Sequence, residues 1–173
     1  MNALTHAASQ PLGEVDRGAG AAASEPERQY ISFLLDGVEY GVDILHVQEI
    51  KGWDAATPVP STPDYVLGLI NLRGTVVPVI DLRLRFGLEK AEDHRGQVVV
   101  IVRFEQDERV RVFGLVVDAV SEVYGVSASQ VGPPPEFGDS ASIDFVEGLV
   151  TIDERMLILL DVRRLLEVDA PVR

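Results

Sequence analysis

The feature that most constrains the fold is an internal repeat. When the chain is aligned with itself at an offset of 80 residues, YVLGLINLRGTVVPVIDLR (65–83) matches FVEGLVTIDERMLILLDVR (145–163) without a gap. Upstream, at an offset of 73 residues, YGVDILHVQEI (40–50) matches FGLVVDAVSEV (113–123). The seven extra residues fit in the longer connection that contains Gly132-Pro133-Pro134-Pro135. A repeat of this length predicts two similar modules in tandem.

Each module consists mainly of strand patterns. In the first, YISFLL and VEYGV lie on either side of Asp36-Gly37, a dipeptide typical of tight hairpins with positive φ. In the second, VVVIVRF and RVRVFGLVV lie on either side of a charged link, residues 105–108. Their Val, Ile, Phe and Tyr side chains suit a pleated, half-buried surface. Short strands separated by Gly, Pro and Asp favour small barrels or a sandwich.

Glycine and proline mark special backbone positions in these strands. Gly68 and Gly148 occupy equivalent positions in the repeat, which predicts a bulge or a close backbone approach in each module. Pro78 lies inside a strand pattern, so we expect that strand to lie at an edge or to carry a bulge there.

Two segments have helical patterns. Asp43 can cap a short helix that runs to Ile50, with apolar residues along one face. Residues 162–168 are compatible with a short closing helix. About 70 residues per module support only a marginal core, so we expect the two modules to pack against each other.

Composition excludes several classes of function. The chain has 173 residues and a formal net charge of −13, which argues against binding to nucleic-acid phosphates or to an anionic membrane surface. It contains no cysteine, which excludes disulfides and thiolate metal sites. No apolar run approaches the roughly 20 residues that span a bilayer, and the N-terminal sequence lacks a secretory signal pattern. We therefore expect a cytoplasmic protein without direct membrane insertion.

Residues 1–28 are rich in Ala, Gly, Ser, Glu and Pro and show no periodicity. Such a segment cannot bury enough apolar surface to offset the entropy of ordering it, so we expect a disordered N-terminal tail. A short linear binding motif within this tail is the alternative.

The residue pattern indicates no catalytic, metal or cofactor site. The three histidines, His6, His46 and His94, match no metal-ligand spacing. Nucleophile-elbow, phosphate-loop and dinucleotide motifs are absent from the sequence. Asp81 and Asp161 recur at equivalent positions after a strand, which favours turn or cap acceptors over a pair of catalytic acids in a small hydrolase.

The two modules differ most at one hairpin tip. Leu72-Arg73-Gly74 in the first corresponds to Ile152-Asp153-Glu154 in the second. Because both turns do the same structural work, Arg73 is a candidate for a role specific to the first module. Its guanidinium offers a planar fork of donors for carboxylates. The alternative is an exposed arginine without function, and a docking role requires that no interior acid neutralises it.

These features together resemble the CheW family of coupling proteins in bacterial chemotaxis. The NLRG tip followed by VVPVIDLR, with VQEI upstream, is the most specific part of the match. The similar stretches are EYGVDILHVQEIKGW (39–53), TPDYVLGLINLRGTVVPVIDLRLRFG (62–87), VVVIV (98–102), GLVVDAVSEV (114–123), PPPEF (133–137) and GLVTIDERMLILLDVRRLL (148–166).

The resemblance implies a mainly β fold of two packed, five-stranded SH3-like barrels, with short helices and with strands that can cross between the barrels. The first barrel would comprise residues 29–95 and the second residues 96–168, followed by a C-terminal tail, 169–173. The implied function is a non-enzymatic adaptor without a cofactor, recruited to membrane-associated receptor arrays. A coupling module of a receptor–kinase pathway outside chemotaxis is the alternative within the same fold.

The resemblance also implies two partners. One is the cytoplasmic tip of methyl-accepting chemoreceptors, which would lie in a groove near the junction of the barrels. The other is the regulatory domain of a chemotaxis histidine kinase, which would meet an apolar face. The implied receptor-binding residues are Val47, Glu49, Asn71, Leu72 and Arg73, and the implied kinase-binding residues are Val98, Val99 and Val100.

Overall fold

The computed structural model describes residues 25–134 and 144–167. These residues form ten strands, two short α-helices and two 3-10 turns, Ile44–His46 and Ala128–Gln130. The strands are β1 (Glu27–Leu35), β2 (Val38–Asp43), β3 (Val47–Gly52), β4 (Val66–Leu72), β5 (Thr75–Asp81), β6 (Val98–Gln106), β7 (Arg109–Val117), β8 (Ala119–Ser127), β9 (Val146–Ile152) and β10 (Arg155–Leu160). The helices are α1 (Leu82–Arg85) and α2 (Val162–Glu167), the latter in the segment for which a closing helix is predicted.

Four tight turns join consecutive strands. Both central residues of each turn have positive φ, as in the hairpin turns that match the twist of the strands. The prediction from Asp36-Gly37 is confirmed, since these residues have φ values of 51° and 80° and Leu35 pairs with Val38. The other three turns are Arg73-Gly74, Asp107-Glu108 and Asp153-Glu154.

The strands form two five-stranded sheets, with the orders β8-β1-β2-β10-β9 and β3-β6-β7-β5-β4. The predicted mainly β fold with two five-strand units and short helices is confirmed. Adding or subtracting five strand numbers converts one order into the other, and each sheet contains one parallel pair, β2–β10 or β5–β7. The sequence repeat is therefore present as a structural repeat.

Each sheet takes strands from both halves of the chain. The first two strands of one half join the last three strands of the other half. The boundary expected between residues 95 and 96 lies between β5 and β6, which belong to the same sheet. At the N-terminal end, Glu27 and Arg28 pair with Ser127 and Val126 of β8 rather than belonging to a tail.

The apolar core has three parts. One cluster around Val77, Val79 and Ile101 lies within the second sheet, and an equivalent cluster around Leu157 and Leu159 lies within the first. The third and largest cluster takes residues from both sheets and both α-helices. This shared cluster packs the two sheets together, as the small size of each module predicts.

Gly68 and Gly148 lie where another segment crosses their strands. Thr57 exchanges two backbone hydrogen bonds of 2.9 Å with Leu69, and Gly132 exchanges hydrogen bonds of 2.7 and 3.1 Å with Leu149. The strand register also shifts beside each glycine, between Val66 and Gly68 in one sheet and between Leu159 and Leu160 in the other. The predicted bulge and close approach are both confirmed.

Two local predictions need correction. The helix predicted from Asp43 to Ile50 ends after one turn, at His46, and the following residues form β3. Asp43 does accept a 2.9 Å hydrogen bond from the Leu45 N–H. The rest is strand because its β-branched residues pair with β6, for example Ile50 with Val100.

Pro78 lies in β5, which is an interior strand rather than an edge strand. The pairing of β5 with β7 covers only Val79–Asp81, so Pro78 has a strand partner on one side alone, at Leu69. A missing N–H is tolerated there because no second strand requires it. Expectations for residues 1–24, for the segment 135–143 and for the C-terminal tail concern residues outside the described ranges.

Candidate functional site

The β4–β5 hairpin tip presents Arg73 at the surface. The Gly74 N–H donates a 2.8 Å hydrogen bond to Asn71 Oδ1, which closes the turn through a side chain. Arg73 and Gly74 have φ values of 50° and 89°. Positive φ is unfavourable for arginine, so the turn holds Arg73 in a conformation that the side chain itself does not favour.

Arg73 forms a two-pronged ion pair with Glu49 of β3. Its Nη1 lies 2.7 Å from Glu49 Oε2, and its Nη2 donates a 2.9 Å hydrogen bond to Glu49 Oε1. The pair joins the two ends of one sheet, because β3 and β4 are its outermost strands. The guanidinium of Arg73 lowers the pKa of Glu49, and Glu49 in turn raises the pKa of Arg73.

This ion pair lies at the surface, since the side chains of Arg73 and Glu49 are 69% and 24% exposed. The acid that neutralises Arg73 is therefore a surface residue and belongs to the same predicted set. Asn71 is exposed beside the tip, whereas Val47 is half-buried and Leu72 is buried in a core cluster. The structure brings Glu49, Asn71 and Arg73 together at one surface and places Leu72 beneath them.

Sequence reasoning missed two apolar residues near this pair. Ile50 directly follows Glu49 and is 40% exposed, and Val76 follows the tip and is 60% exposed. A signal for them was present, because both lie in strands whose neighbouring residues face the core. The alternation of strand side chains places such residues on the outer face.

The implied kinase-binding valines do not lie at the surface. Val99 and Val100 are 1% and 0% exposed, and they belong to the core of the second sheet and to the shared cluster, respectively. Val98 is half-buried against the shared cluster. The side chains of Val99 and Val100 hold the core together, so a partner cannot reach them in this conformation.

The two repeated aspartates cap helices. Asp81 Oδ1 accepts a 2.9 Å hydrogen bond from the Arg83 N–H, and Asp161 Oδ1 accepts from the Arg163 and Arg164 N–H groups at 3.0 and 3.2 Å. The predicted cap role is confirmed for both. Asp81 is fully buried, so its carboxylate cannot reach a substrate in solvent. The geometry contradicts a hydrolytic site at this residue.

Other site classes find no support in the described residues. No group of three or more His, Asp and Glu side chains in residues 25–134 and 144–167 is arranged to hold a metal ion. Within the same ranges, no helix combines the length and the apolarity needed to cross a membrane.

The second hairpin tip holds its arginine differently. Arg155 donates to the Tyr124 hydroxyl and lies 3.6 Å from Glu122 Oε1 and 4.0 Å from Glu39 Oε2. Glu39 is buried and also accepts 2.8 and 3.2 Å hydrogen bonds from Ser32 and Tyr124. Burial and the neighbouring carboxylates raise the pKa of Tyr124 to about 12. Arg155 is thus held by several partners, whereas Arg73 has the single partner Glu49 among the contacts described above.

Comparison with known proteins places this geometry in a family. The CheW-like domain matches residues 29–170. The chain is 41% identical to the chemotaxis protein CheW of Klebsiella aerogenes over 155 residues, which cover 90% of this chain and 89% of that protein. It is 34% identical to the protein FrzA of Myxococcus xanthus over 122 residues, covering 70% and 74% of the two chains.

A solved structure has the same fold. The crystal structure of the scaffolding protein TtCheW from Thermoanaerobacter tengcongensis superposes with a TM-score of 0.71 at 36% identity, over 83% of this chain and 94% of that one. Sequence and fold agree over nearly all of the described residues. The chain therefore belongs to the CheW-like family, whose members are non-enzymatic scaffolding proteins of chemotaxis.

Proposed function

We propose that this protein couples the cytoplasmic tip of methyl-accepting chemoreceptors to the regulatory domain of a chemotaxis histidine kinase, as an adaptor recruited to receptor arrays. The observation that carries the proposal is the exposed Arg73–Glu49 pair, formed by residues of the NLRG and VQEI motifs in a chain of the CheW-like family. Both residues are held by strand and turn geometry, so the pair is available before a partner arrives.

The receptor would bind through polar and apolar contacts at the surface formed by the tip and β3. A helix that reaches this surface would find a cation at Arg73, an anion at Glu49 and apolar side chains at Ile50 and Val76. Such helix recognition depends on a few anchors, with arginine frequent among them. A receptor carboxylate near Arg73 would share the guanidinium with Glu49, whose ion pair in solvent is weak and therefore easily rearranged.

The kinase would bind the sheet that contains β6, through exposed groups around Val98 rather than through the buried Val99 and Val100. Holding receptor and kinase on one molecule raises their effective concentration and fixes their relative geometry. A change in kinase activity requires that the adaptor and receptor bind the active and inactive kinase states with different affinity.

The test is a titration of the protein with a soluble fragment of a chemoreceptor's cytoplasmic tip. We expect Arg73→Ala to weaken binding by about fivefold or more, as for an interface anchor. The melting temperature should change by no more than about 2 °C, because the side chain is exposed. Asp153→Ala, at the equivalent turn position, is the matched control and should leave receptor affinity nearly unchanged.

Unchanged receptor affinity in Arg73→Ala would contradict the assignment of the site. Co-purification with a histidine kinase tests the second partner. A kinase from a pathway outside chemotaxis would favour the alternative form of the proposal, in which the same coupling role serves another receptor.

A further inference from the structure

Exposed apolar side chains recur at equivalent positions of the repeat. Ile50 corresponds to Val123 at the offset of 73, and Val76 corresponds to Met156 at the offset of 80. Val123 and Met156 are 47% and 55% exposed, which is close to the exposure of their counterparts. The fold does not need solvent-exposed apolar groups at these positions, and recurring exposed apolar groups indicate a binding surface.

The second pair also accompanies an ion pair. Val123 directly follows Glu122 in β8, and Met156 directly follows Arg155 in β10, while Arg155 and Glu122 lie 3.6 Å apart. This arrangement matches that of Ile50 and Val76 beside Glu49 and Arg73. We define the β8–tip face as Glu122, Val123 and Asp153–Met156.

The charges of the two surfaces differ in sign. Near the first tip, Lys51 and Arg73 outnumber Glu49. On the β8–tip face, Glu122, Asp153 and Glu154 outnumber Arg155. Within residues 25–134 and 144–167 no ion pair within 4 Å involves Asp153 or Glu154.

Arg155 cannot take the part that Arg73 has. Its guanidinium already contacts Tyr124, Glu122 and the buried Glu39, so its positive charge is compensated by the protein. An anionic partner would have to displace these contacts and would also meet the unpaired carboxylates of the turn. The chemistry of this face therefore favours a cationic partner.

We propose that the β8–tip face is a second docking surface, which binds a cationic amphipathic helix of another protein. Lysine or arginine side chains of the helix would approach Asp153, Glu154 and Glu122, and its apolar stripe would cover Val123 and Met156. This surface is separate from the one proposed for the receptor, and it does not depend on Arg73.

The experiment uses the full chain and a synthetic amphipathic helix of leucine and lysine as the probe, with a leucine–glutamate helix for comparison. Binding is measured by titration, and the contact surface is mapped from backbone amide shifts. Because the protein is strongly acidic, any cationic peptide is attracted to it, so a control must remove the same charge elsewhere.

The chain supplies that control. Asp107-Glu108 is a second Asp-Glu turn with positive φ at both residues, on the β6–β7 hairpin. We expect Asp153→Asn/Glu154→Gln to weaken probe binding by about tenfold, as for loss of interface anchors. Asp107→Asn/Glu108→Gln should weaken it by less than about threefold, through long-range charge alone. Val123→Ser/Met156→Ser should also weaken binding, and shifts in the wild type should centre on these two residues.

Equal weakening by the two turn variants would overturn the proposal, because net charge alone would then explain binding. Shifts centred elsewhere, or equal binding of the leucine–glutamate helix, would overturn it too. Sedimentation of the free chain tests a different occupant. Self-association lost on Arg73→Glu and on the Asp153/Glu154 variant would show that the surface binds a second copy instead.

Discussion

At the scale of single residues, the backbone rather than the side chain decides what Gly68 does. A Cβ at this position would lie 2.2 Å from the Thr57 carbonyl oxygen, and the φ of 141° is unfavourable for other residues. The obstacle is backbone atoms that are held by two hydrogen bonds, so a side chain cannot be accommodated by a change of rotamer. The crossing of residue 57 over β4 therefore depends on this glycine.

We predict that Gly68→Ala destabilises the fold by about 2 kcal/mol or more, because the clash forces the crossing segment away from β4. Denaturant unfolding measures the change. Gly52→Ala is the control, since a Cβ there has no neighbour within 4 Å, and it should cost much less. Equal effects of the two substitutions would contradict the role assigned to the crossing.

Asp81 shows a buried acid with a structural task. Burial raises its pKa, although hydrogen bonds from the Leu84 and Arg83 N–H groups act in the opposite direction. The folded state therefore holds this proton more tightly than the unfolded chain does. Stability from this group is fully present below the unfolded value of about 4, and it is lost as the pH rises through the folded pKa.

We predict that Asp81→Asn, which keeps a cap oxygen, gains stability relative to the wild type as the pH rises above about 4, because the amide has no proton to lose. Unfolding free energies across pH test this. Asp161→Asn, at the equivalent and more exposed cap, is the comparison and should not show the same gain. A difference between Asp81→Asn and the wild type that is constant with pH would contradict the prediction.

At the scale of elements, the β4–β5 hairpin places an arginine where its turn favours asparagine, aspartate or glycine. The cost of positive φ at Arg73 is not needed for folding, since Asp153 occupies the same position in the other tip. We interpret this as local strain retained for binding.

We therefore predict that Arg73→Asn raises the melting temperature by about 1–3 °C, since asparagine tolerates positive φ and a surface ion pair contributes little. The same substitution should weaken receptor binding. Asp153→Asn should leave the melting temperature nearly unchanged. A lower melting temperature for Arg73→Asn would show that the pair with Glu49 stabilises the sheet more than the turn strains it.

Elements also show which features could be predicted from the sequence. The Asp36-Gly37 hairpin, the two glycine crossings and the aspartate caps depend on local geometry or on the repeat, and all were predicted. Residues 44–50 were assigned to a helix because Ile44, Val47 and Ile50 suit either period. Pairing with the distant β6 decides in favour of strand, and one chain segment does not contain that information. The contact of Glu49 with Arg73 and the burial of Val99 and Val100 likewise depend on long-range packing.

At the scale of the whole molecule, the exchange of strands joins the halves of the chain into one unit. Neither sheet can form from residues 1–95 alone, because β1 and β2 require β8 and β10, while β3 and β5 require β6 and β7. The shared cluster also combines residues from both halves, such as Phe33 and Phe145. Such an arrangement should unfold as one cooperative unit rather than as two barrels.

We predict that the polypeptides 1–95 and 96–173 have no cooperative thermal transition when each is alone, because each lacks the partner strands of both sheets. When mixed, they should form a 1:1 complex that recovers the β-sheet circular dichroism and a single transition. This break falls between β5 and β6, so it interrupts no described strand or helix, and loss of structure must come from the missing partner. Independent cooperative folding of either polypeptide would show that a half of the chain can form a closed unit by itself. The two docking surfaces could then be studied on separate pieces, whereas the exchanged topology requires that both remain on one intact molecule.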